Sequence, residues 1–450
     1  MITLKDKVRT PEGADSAATL EESAKPGRVL SRDDLWAFLP THSYLYVPTQ
    51  ELWPGRSVDG QIATKFNLGG RSVRASAWLD AKKAIVQMVW DPREPQLIRG
   101  RVMRSTGYVE QPDAVVFNQY QAPVWPEGDG LKATPWRDHL RRLYPEDFGH
   151  LEDYLAFKIQ HPGRKINHAI VLGGAQGIGK DSILEPVKAG IGACNWQEIS
   201  PGHLQGRFNG WARCVMLRIN EARDVGEANR IAIYEAAKIY LAAPPDALRV
   251  DEKNIPESYV ANVCGVVITT NHRTDGLYLP PDDRRHFVAW SEATREDFPP
   301  NYWADFHNWC AEGGVGHVIA YLASKDLSHF DPMVPPCKTP AFWAIAQSGE
   351  SHETADLCDV IDHMGSPDAL TIGHLVSAAK ELGRHELAAE LVDRKFRRTM
   401  PTRLDKVGYV TVRNANAADG MFKISGRRQT AYAHKRLSPT QRMTAADAIR

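Results

Sequence analysis

Short apolar runs alternate with loops and helical segments in the middle of the chain. Three of these runs, Ala169–Leu172, Cys214–Leu217 and Gly265–Thr269, are almost wholly apolar. Such runs are typical of parallel strands whose two faces are both covered by other elements. Before them, apolar residues in Asp147–Gln160 follow a helical spacing and stop near a Pro-Gly pair. The pattern predicts an α/β fold with a parallel sheet.

The region before this core has a different pattern, in which turn residues separate short apolar segments. These segments predict a small, mainly β accessory region, and they are Tyr44–Val47, Val73–Trp78, Ile85–Trp90 and Gln96–Met103.

The region after the core begins with a Pro-rich linker. Two segments with helical patterns, Leu370–Leu382 and Glu386–Met400, follow it. Gly408–Arg413 and Gly420–Ser425 are then predicted to form a strand pair. Helices followed by a β-hairpin, with arginines and lysines around them, favour a winged-helix-like domain.

Charge changes this picture only at one end. The 450 residues have a formal net charge of zero, so bulk charge predicts no affinity for nucleic acid. From Arg394 to Arg450, however, fourteen lysines and arginines stand against three acidic residues. Such an excess suits a polyanionic partner, although a solvated basic tail is the alternative.

Composition excludes several classes of protein. The six cysteines contain no CxxC pair, which argues against a zinc ribbon or a disulfide framework and fits a reducing compartment. The N-terminus does not resemble a signal peptide, and no apolar run approaches the roughly 18 residues of a membrane helix. We therefore expect a cytoplasmic protein without membrane association.

A glycine-rich segment directly follows the first buried run. Gly174–Lys180 has the phosphate-loop spacing of a glycine, four residues, a glycine and a lysine. Its backbone N–H groups and the start of a following helix would face phosphates, and Lys180 would add a point charge. An ordinary glycine-rich turn is the alternative. The predicted nucleotide-binding residues are Gly174, Ala175, Gln176, Gly177, Ile178, Gly179, Lys180, Asp181 and Ser182.

Two features depart from the usual phosphate loop. The residue after the lysine, normally Ser or Thr, is Asp181, and Ser182 comes next. Since Mg²⁺ prefers oxygen ligands, both are predicted metal ligands. In addition, Pro186 is expected to kink or end the helix that follows the loop.

Polar residues end the next two buried runs. Glu221 follows the second run, where a carboxylate can orient or deprotonate the water that attacks a nucleotide. Asn220 before it is a further predicted metal ligand, through a bound water. Asn271 ends the third run and is placed to sense the γ-phosphate. Each could otherwise be an ordinary surface or turn residue.

An arginine pair follows shortly afterwards. Arg284 and Arg285 could reach the γ-phosphate of a neighbouring subunit as an arginine finger, with Arg285 slightly preferred. An ion-paired turn with the two preceding aspartates is the alternative.

These elements, in this order and within about 115 residues, resemble superfamily 3 helicases. The likeness is to the helicase part of phage and mobile-element primase-helicases, and it covers about residues 110–300. The segments that carry it are IQHPGRK (Ile159–Lys165), GGAQGIGKDS (Gly173–Ser182), INEARD (Ile219–Asp224), ITTN (Ile268–Asn271) and DDRRHF (Asp282–Phe287).

The resemblance implies an AAA+-like P-loop ATPase core that binds ATP and Mg²⁺ and works as a homo-hexamer on single-stranded DNA. It also places a DNA-contacting hairpin at Arg249–Pro256, with Lys253 at its tip and Arg249 beside it. Arg397 and Arg398 in the C-terminal domain are further predicted DNA contacts. A primase domain is not recognisable in residues 1–150, so a separate primase or an initiator is a possible partner.

These predictions divide the chain into six parts. They are a disordered segment (1–28), the accessory domain (29–146), the ATPase core (147–330), a linker (331–345), the winged-helix-like domain (346–437) and a tail (438–450).

Three functions remain open at this point. The first is an ATP-dependent DNA helicase acting in replication of a phage, plasmid or other mobile element. The second is an AAA+ ATPase that loads or remodels replication proteins at an origin, since motors of this architecture share their hydrolytic parts. The third is a DNA-binding initiator or repressor that uses nucleotide as a switch.

Overall fold

The computed structural model describes residues 30–220, 227–253, 255–273, 276–393 and 400–449. The chain divides into two compact units between Val86 and Gln87. The sequence placed the first domain boundary later, after residue 146. The segment 1–28, predicted to be disordered, lies outside the described residues.

The first unit combines short strands with two helices. Its core contains Leu35, Tyr44, Val58 and Leu79. One sheet has the order β3-β2-β1-β6, and β4 pairs with β5. The elements are β1 Leu35–Phe38, β2 Ser43–Tyr46, β3 Glu51–Pro54, α1 Gly55–Gln61, β4 Phe66–Leu68, β5 Arg71–Val73, α2 Ala75–Lys82 and β6 Ala84–Ile85.

One predicted strand of this unit is wrong. Most of Val73–Trp78 belongs to the start of α2, whose residues Ala75 and Leu79 are fully buried. Their spacing of four places both on one face of a helix, where they fill the core.

The second unit begins with a sheet of order β7-β9-β8, followed by two helices. The predicted helix over 147–160 is confirmed by α4. The bounds are β7 Gln87–Val89, β8 Leu97–Arg104, β9 Gly107–Asn118, α3 Thr134–Leu143 and α4 Phe148–Gln160.

A five-stranded parallel sheet forms the centre of this unit, with the order β11-β12-β15-β10-β16. The predicted α/β fold with a parallel sheet is confirmed, and the three apolar runs supply β10, β12 and β15. The bounds are β10 Ala169–Gly173, α5 Lys180–Ile191, β11 Trp196–Ile199, β12 Met216–Asn220, α6 Glu227–Leu241, β13 Ala247–Glu252, β14 Ile255–Ala261, β15 Gly265–Thr270 and β16 His286–Trp290.

Pro186 does not end the helix after the glycine-rich loop. α5 continues through it to Ile191, so the expectation that the helix ends at this residue is wrong. Pro186, Ile183, Leu184 and Val187 are all buried in this helix. Packing of this apolar face compensates the roughly 3 kcal/mol that an interior proline costs a helix.

Two buried lysines form hydrogen bonds at the amino-terminal edge of the sheet, where β15 begins. Lys158 Nζ donates to the carbonyl oxygens of Val263 (2.7 Å) and Arg164 (2.9 Å). Lys165 Nζ donates to the carbonyl oxygen of Cys264 at 2.6 Å. Burial, with the nearby Lys165 charge, lowers the pKa of Lys158 to about 7. The IQHPGRK segment therefore has a structural role in this chain.

The remaining elements follow the central sheet. Among the described helices, none has both the length and the apolar character needed to cross a membrane. All six cysteines are free thiols, as their spacing predicts. The bounds are α7 Tyr302–Trp309, α8 Val315–Ser324, α9 Pro340–His363, β17 Ala369–Thr371, α10 Ile372–Glu381, α11 His385–Val392, α12 Met400–Lys406, β18 Tyr409–Val412, β19 Phe422–Ile424, β20 Arg427–Gln429, β21 Ala431–His434 and α13 Pro439–Ala448.

The C-terminal strands pair differently from the prediction. β18 lies against β21, in the sheet β17-β21-β18, and β19 pairs with β20. The predicted pairing of 408–413 with 420–425 is therefore wrong, because each strand finds its partner after the turn at Ser425-Gly426. The segment predicted as a tail contains α13, which packs on β21 and buries Ala446.

Candidate nucleotide-binding site

The glycine-rich loop connects the carboxyl end of β10 to the first turn of α5. Gly177 has φ 80°, in the left-handed region that favours glycine. A side chain at this position would also collide with the Arg295 guanidinium. The left-handed backbone conformation therefore favours glycine here, whereas the end of the Arg295 side chain could move away from a larger residue.

Lys180 lies inside the curve of this loop. It is buried, and its Nζ donates to the carbonyl oxygens of Gly174 (2.8 Å) and Ala175 (2.7 Å). It also donates to Asn271 Oδ1 at 2.7 Å. Since β15 and β10 are adjacent and parallel, the residues that follow them meet at one edge of the sheet. The structure thus brings together two residues that lie 91 positions apart in sequence.

A cavity of about 950 Å³ opens over the loop at this edge of the sheet. Its walls come from the loop, α5, the ends of β12 and β15, and the segment leading into α7. The lining residues are Gln176, Gly177, Gly179, Lys180, Asp181, Ser182, Arg218, Asn220, Thr269, Thr270, Asn271, Arg295, Phe298, Pro299, Pro300 and Trp303.

Two arginines in this cavity were missed by the sequence analysis. Arg295 covers the loop at Gly177, and Arg218 projects from β12 and forms an ion pair with Asp181. Arg218 interrupts an apolar strand, and this charged residue was a signal in the sequence that its side chain faces a polar site. With Lys180, these arginines give the cavity three cations suited to a polyphosphate.

The predicted metal ligands also line the cavity. Asp181 and Ser182 occupy the first turn of α5, and Asn220 ends β12. Asn220 Oδ1 is buried without a hydrogen-bond partner among the residues the structure describes. A carboxylate, a hydroxyl and an unsatisfied amide oxygen form a donor set that fits Mg²⁺.

An aromatic wall closes the cavity on the side of α7. Trp303 lies against Gly179, and Phe298 packs beside it with ring centroids 4.9 Å apart and the rings tilted by 40°. Buried His139 supports both the loop and the wall, with Nε2 3.0 Å from the Gly179 carbonyl oxygen and Nδ1 2.8 Å from the Tyr302 hydroxyl. Burial lowers the pKa of His139, which favours the neutral ring; with Nε2–H donating to the Gly179 carbonyl oxygen, Nδ1 then accepts from the Tyr302 hydroxyl. His139 gave no signal in the sequence.

Arg284 and Arg285 lie at the other edge of the sheet. Arg285 immediately precedes β16, whose first residue His286 is level with Ala169 at the start of β10. Five residues of strand, about 16 Å, therefore separate Arg285 from the loop of its own chain. Arg284 is exposed and Arg285 is half-buried. Within one chain the structure does not bring either arginine to the cavity.

Three predicted site residues cannot be placed. Glu221, Arg397 and Arg398 lie outside the described residues.

The predicted DNA-contacting segment forms an antiparallel hairpin of β13 and β14. Lys253 is exposed in its turn. Arg249 is also exposed, but it forms an ion pair with Glu257 of the facing strand. The charge of Arg249 is therefore balanced within the hairpin by that of Glu257.

Arg207 and Phe208 are exposed beside this hairpin, and the sequence analysis missed both. Asn209 fixes the preceding loop, since its Nδ2 donates to the Arg249 carbonyl oxygen (2.7 Å) and its Oδ1 accepts from the Asp251 N–H (2.8 Å). Next to it, Phe208 is 46% exposed and Arg207 lies over its ring. Arg207 also forms an ion pair with Asp251 of β13, so its charge, like that of Arg249, is balanced within the hairpin. The exposed Phe208 ring next to a lysine turn suits a single-stranded nucleic acid.

Comparisons with solved structures show which known fold this chain shares. The C-terminal region of NrS-1 (residues 305–718, apo) is similar to this chain, with a TM-score of 0.52, 14% identity, and coverage of 89% of this chain and 95% of that one. Another crystal form of that region has a TM-score of 0.50, 15% identity and 84% coverage of each chain. At these identities the likeness shows a shared fold.

The other comparisons are narrower. Residues 172–285 match the model of a family of unknown function, DUF5906. That match spans the glycine-rich loop, the hairpin and Arg285. JCV helicase is similar over 52% of this chain and 64% of its own, with 10% identity and a TM-score of 0.30, too low to support an argument. No curated protein matches the sequence significantly.

Proposed function

We propose that this protein is an ATP-dependent DNA helicase or translocase of the superfamily 3 type, with an AAA+-like P-loop core. We further propose that it works as a ring oligomer in replication of a phage, plasmid or other mobile element. The observation that carries the proposal is the 2.7 Å contact between Lys180 Nζ and Asn271 Oδ1 inside a polar cavity at the carboxyl edge of a parallel sheet. Ligands of open α/β sheets bind at this edge.

The cavity suits a nucleoside triphosphate in both charge and shape. Lys180 and Arg295 would face the phosphates, and the N–H groups at the start of α5 would add their partial positive charge. Phe298 and Trp303 offer an apolar wall for the base. The present contacts of Lys180 with loop carbonyl oxygens would be exchanged for phosphate oxygens when nucleotide binds.

Hydrolysis needs further groups around the γ-phosphate. Asn271 would hold the phosphate or the attacking water, and we assign proton abstraction from that water to Glu221. Asp181, Ser182 and Asn220 would hold Mg²⁺, which when bound neutralises charge on the phosphate oxygens. Arg285, or Arg284 beside it, would reach this site from a neighbouring subunit.

Single-stranded DNA would bind to the hairpin. Lys253 would contact the phosphate backbone, and Phe208 would stack on a base. Arg397 and Arg398 in the C-terminal domain would provide further DNA contacts. A separate primase or initiator would complete the replication machinery.

Unwinding of a forked DNA tests this proposal directly. The wild-type protein should separate strands with ATP and fail with a non-hydrolysable analogue, and Lys180→Ala should abolish unwinding. Lys132→Ala is a matched control, because Lys132 is an exposed lysine that does not line the cavity. Unwinding by the Lys180 variant would contradict the proposal. Hydrolysis without unwinding would favour a protein remodeller.

A further inference from the structure

Asp181 stands where phosphate loops normally have Ser or Thr, and its partner is an arginine of the neighbouring strand. Arg218, on β12, pairs with the Asp181 carboxylate. Its Nη2 also lies 3.5 Å from Thr269 Oγ1, and its Nη1 lies 3.9 Å from Glu198 Oε2. The guanidinium is therefore surrounded by the same kind of oxygen atoms that a divalent cation would bind.

The two partners differ in their freedom to move. The Arg218 side chain is 13% exposed, on a central strand of the sheet, whereas the Asp181 side chain is 68% exposed on the first turn of α5. Glu198 is held elsewhere, since its Oε1 accepts from Lys188 Nζ (3.0 Å) and Trp196 Nε1 (2.9 Å). Asp181 is consequently the carboxylate that can turn toward a metal, and Arg218 is the cation it must leave.

We propose that Arg218 competes with Mg²⁺ for Asp181 and thereby sets how much Mg²⁺ the site needs to bind nucleotide. This inference rests on the proposed function. Without the metal, Arg218 neutralises Asp181 and prevents an uncompensated carboxylate from repelling the phosphates. With the metal, the carboxylate leaves Arg218, whose freed guanidinium then faces the phosphates. Asn220 Oδ1, buried beside them without a described hydrogen-bond partner, is the second oxygen for the metal.

Titration of a fluorescent ATP analogue at a series of MgCl₂ concentrations, starting in EDTA, tests the competition without relying on hydrolysis. Arg218→Gln keeps a hydrogen-bonding group but removes the charge. It should lower the Mg²⁺ concentration that gives half-maximal enhancement of binding by about fivefold, the size expected for a partly exposed ion pair. Arg295→Gln is the matched control, because Arg295 lines the same cavity. It should weaken binding at every Mg²⁺ concentration and leave that midpoint unchanged.

Asp181→Asn tests the same pair from its exposed side, where a substitution is least disruptive to folding. This variant should bind the analogue more tightly than wild type in EDTA, and Mg²⁺ should no longer enhance its binding. In the double variant the tighter binding in EDTA should be lost, because the Arg218 guanidinium that Asp181→Asn frees is then absent as well.

The outcomes separate this inference from the function on which it rests. An unchanged or higher Mg²⁺ midpoint in Arg218→Gln overturns the competition while nucleotide binding stands. If Arg218→Gln does not fold, Asp181→Asn decides: wild-type Mg²⁺ enhancement in that variant overturns the competition. A wild-type protein that binds no analogue at any Mg²⁺ concentration overturns both proposals.

Discussion

Lys180 Nζ donates a hydrogen bond to Asn271 Oδ1 at 2.7 Å, which joins the end of the glycine-rich loop to the residue that follows β15. This contact fixes the position of the asparagine relative to the lysine. A triphosphate that binds Lys180 therefore meets the Asn271 amide at the same time.

Removal of the asparagine side chain should impair hydrolysis more than binding. Asn271→Ala should lower the ATPase kcat by about 100-fold, since one preorganised group that acts on the developing charge is typically worth two to three orders of magnitude. Its KM for ATP should change little. Steady-state kinetics measure both, with Asn308→Ala on the exposed side of α7 as control. A purely raised KM would assign Asn271 to ground-state binding.

Lys253 should dominate DNA binding by the hairpin. Lys253→Ala should weaken binding of single-stranded DNA and reduce the salt dependence of log K by about one phosphate contact. Arg249→Ala should have a smaller effect, because its charge is already paired with Glu257. Fluorescence anisotropy at several KCl concentrations measures both. Equal effects of the two variants would show that the ion pair opens on DNA.

The arginine pair should act between subunits. Arg285→Ala should lower the ATPase rate by about 1,000-fold with normal ATP binding, the usual consequence of losing an arginine finger. Mixing this inactive variant with inactive Lys180→Ala should restore part of the activity, because some interfaces then contain an intact loop and an intact arginine. Arg284→Ala under the same conditions identifies which arginine acts. No recovery with either mixture would argue against a shared site.

Asp283 should make the core sensitive to acid. Although burial raises its pKa, hydrogen bonds from His286, the Arg285 N–H and Tyr234, with the His286 charge, lower it to about 2. The folded-state pKa is below the ordinary aspartate pKa of 3.8, so the unfolded chain binds the proton more readily. This stabilisation, about 2 kcal/mol, is complete above pH 4 and is lost as pH falls toward 2. The drop in the free energy of unfolding between pH 7 and pH 3, measured with urea, should be larger in wild type than in Asp283→Asn.

The sequence was sufficient for the features that depend on neighbouring residues. The buried runs at β10, β12 and β15 follow from local apolar composition, and the loop at Gly174–Lys180 follows from its glycine spacing. The hairpin of β13 and β14 came from the family resemblance. Each of these signals lies within about ten residues of chain.

The features that the sequence missed depend on distant contacts. Arg218 and Arg295 acquire their position only when β12 and the segment before α7 fold onto the loop. The helix α5 continues through Pro186 because the apolar face that contains this proline is buried. Similarly, β18 pairs with β21 across two intervening strands, a choice that local patterns do not encode.

The loop and Arg285 lie at opposite ends of the same parallel strands. A solitary chain therefore cannot deliver its own arginine to its own nucleotide, however tightly that nucleotide is held. In the proposed helicase, dissociated subunits would not hydrolyse their bound ATP. The ATPase rate per chain would therefore rise with protein concentration. Assembly of the oligomer would then activate ATP hydrolysis.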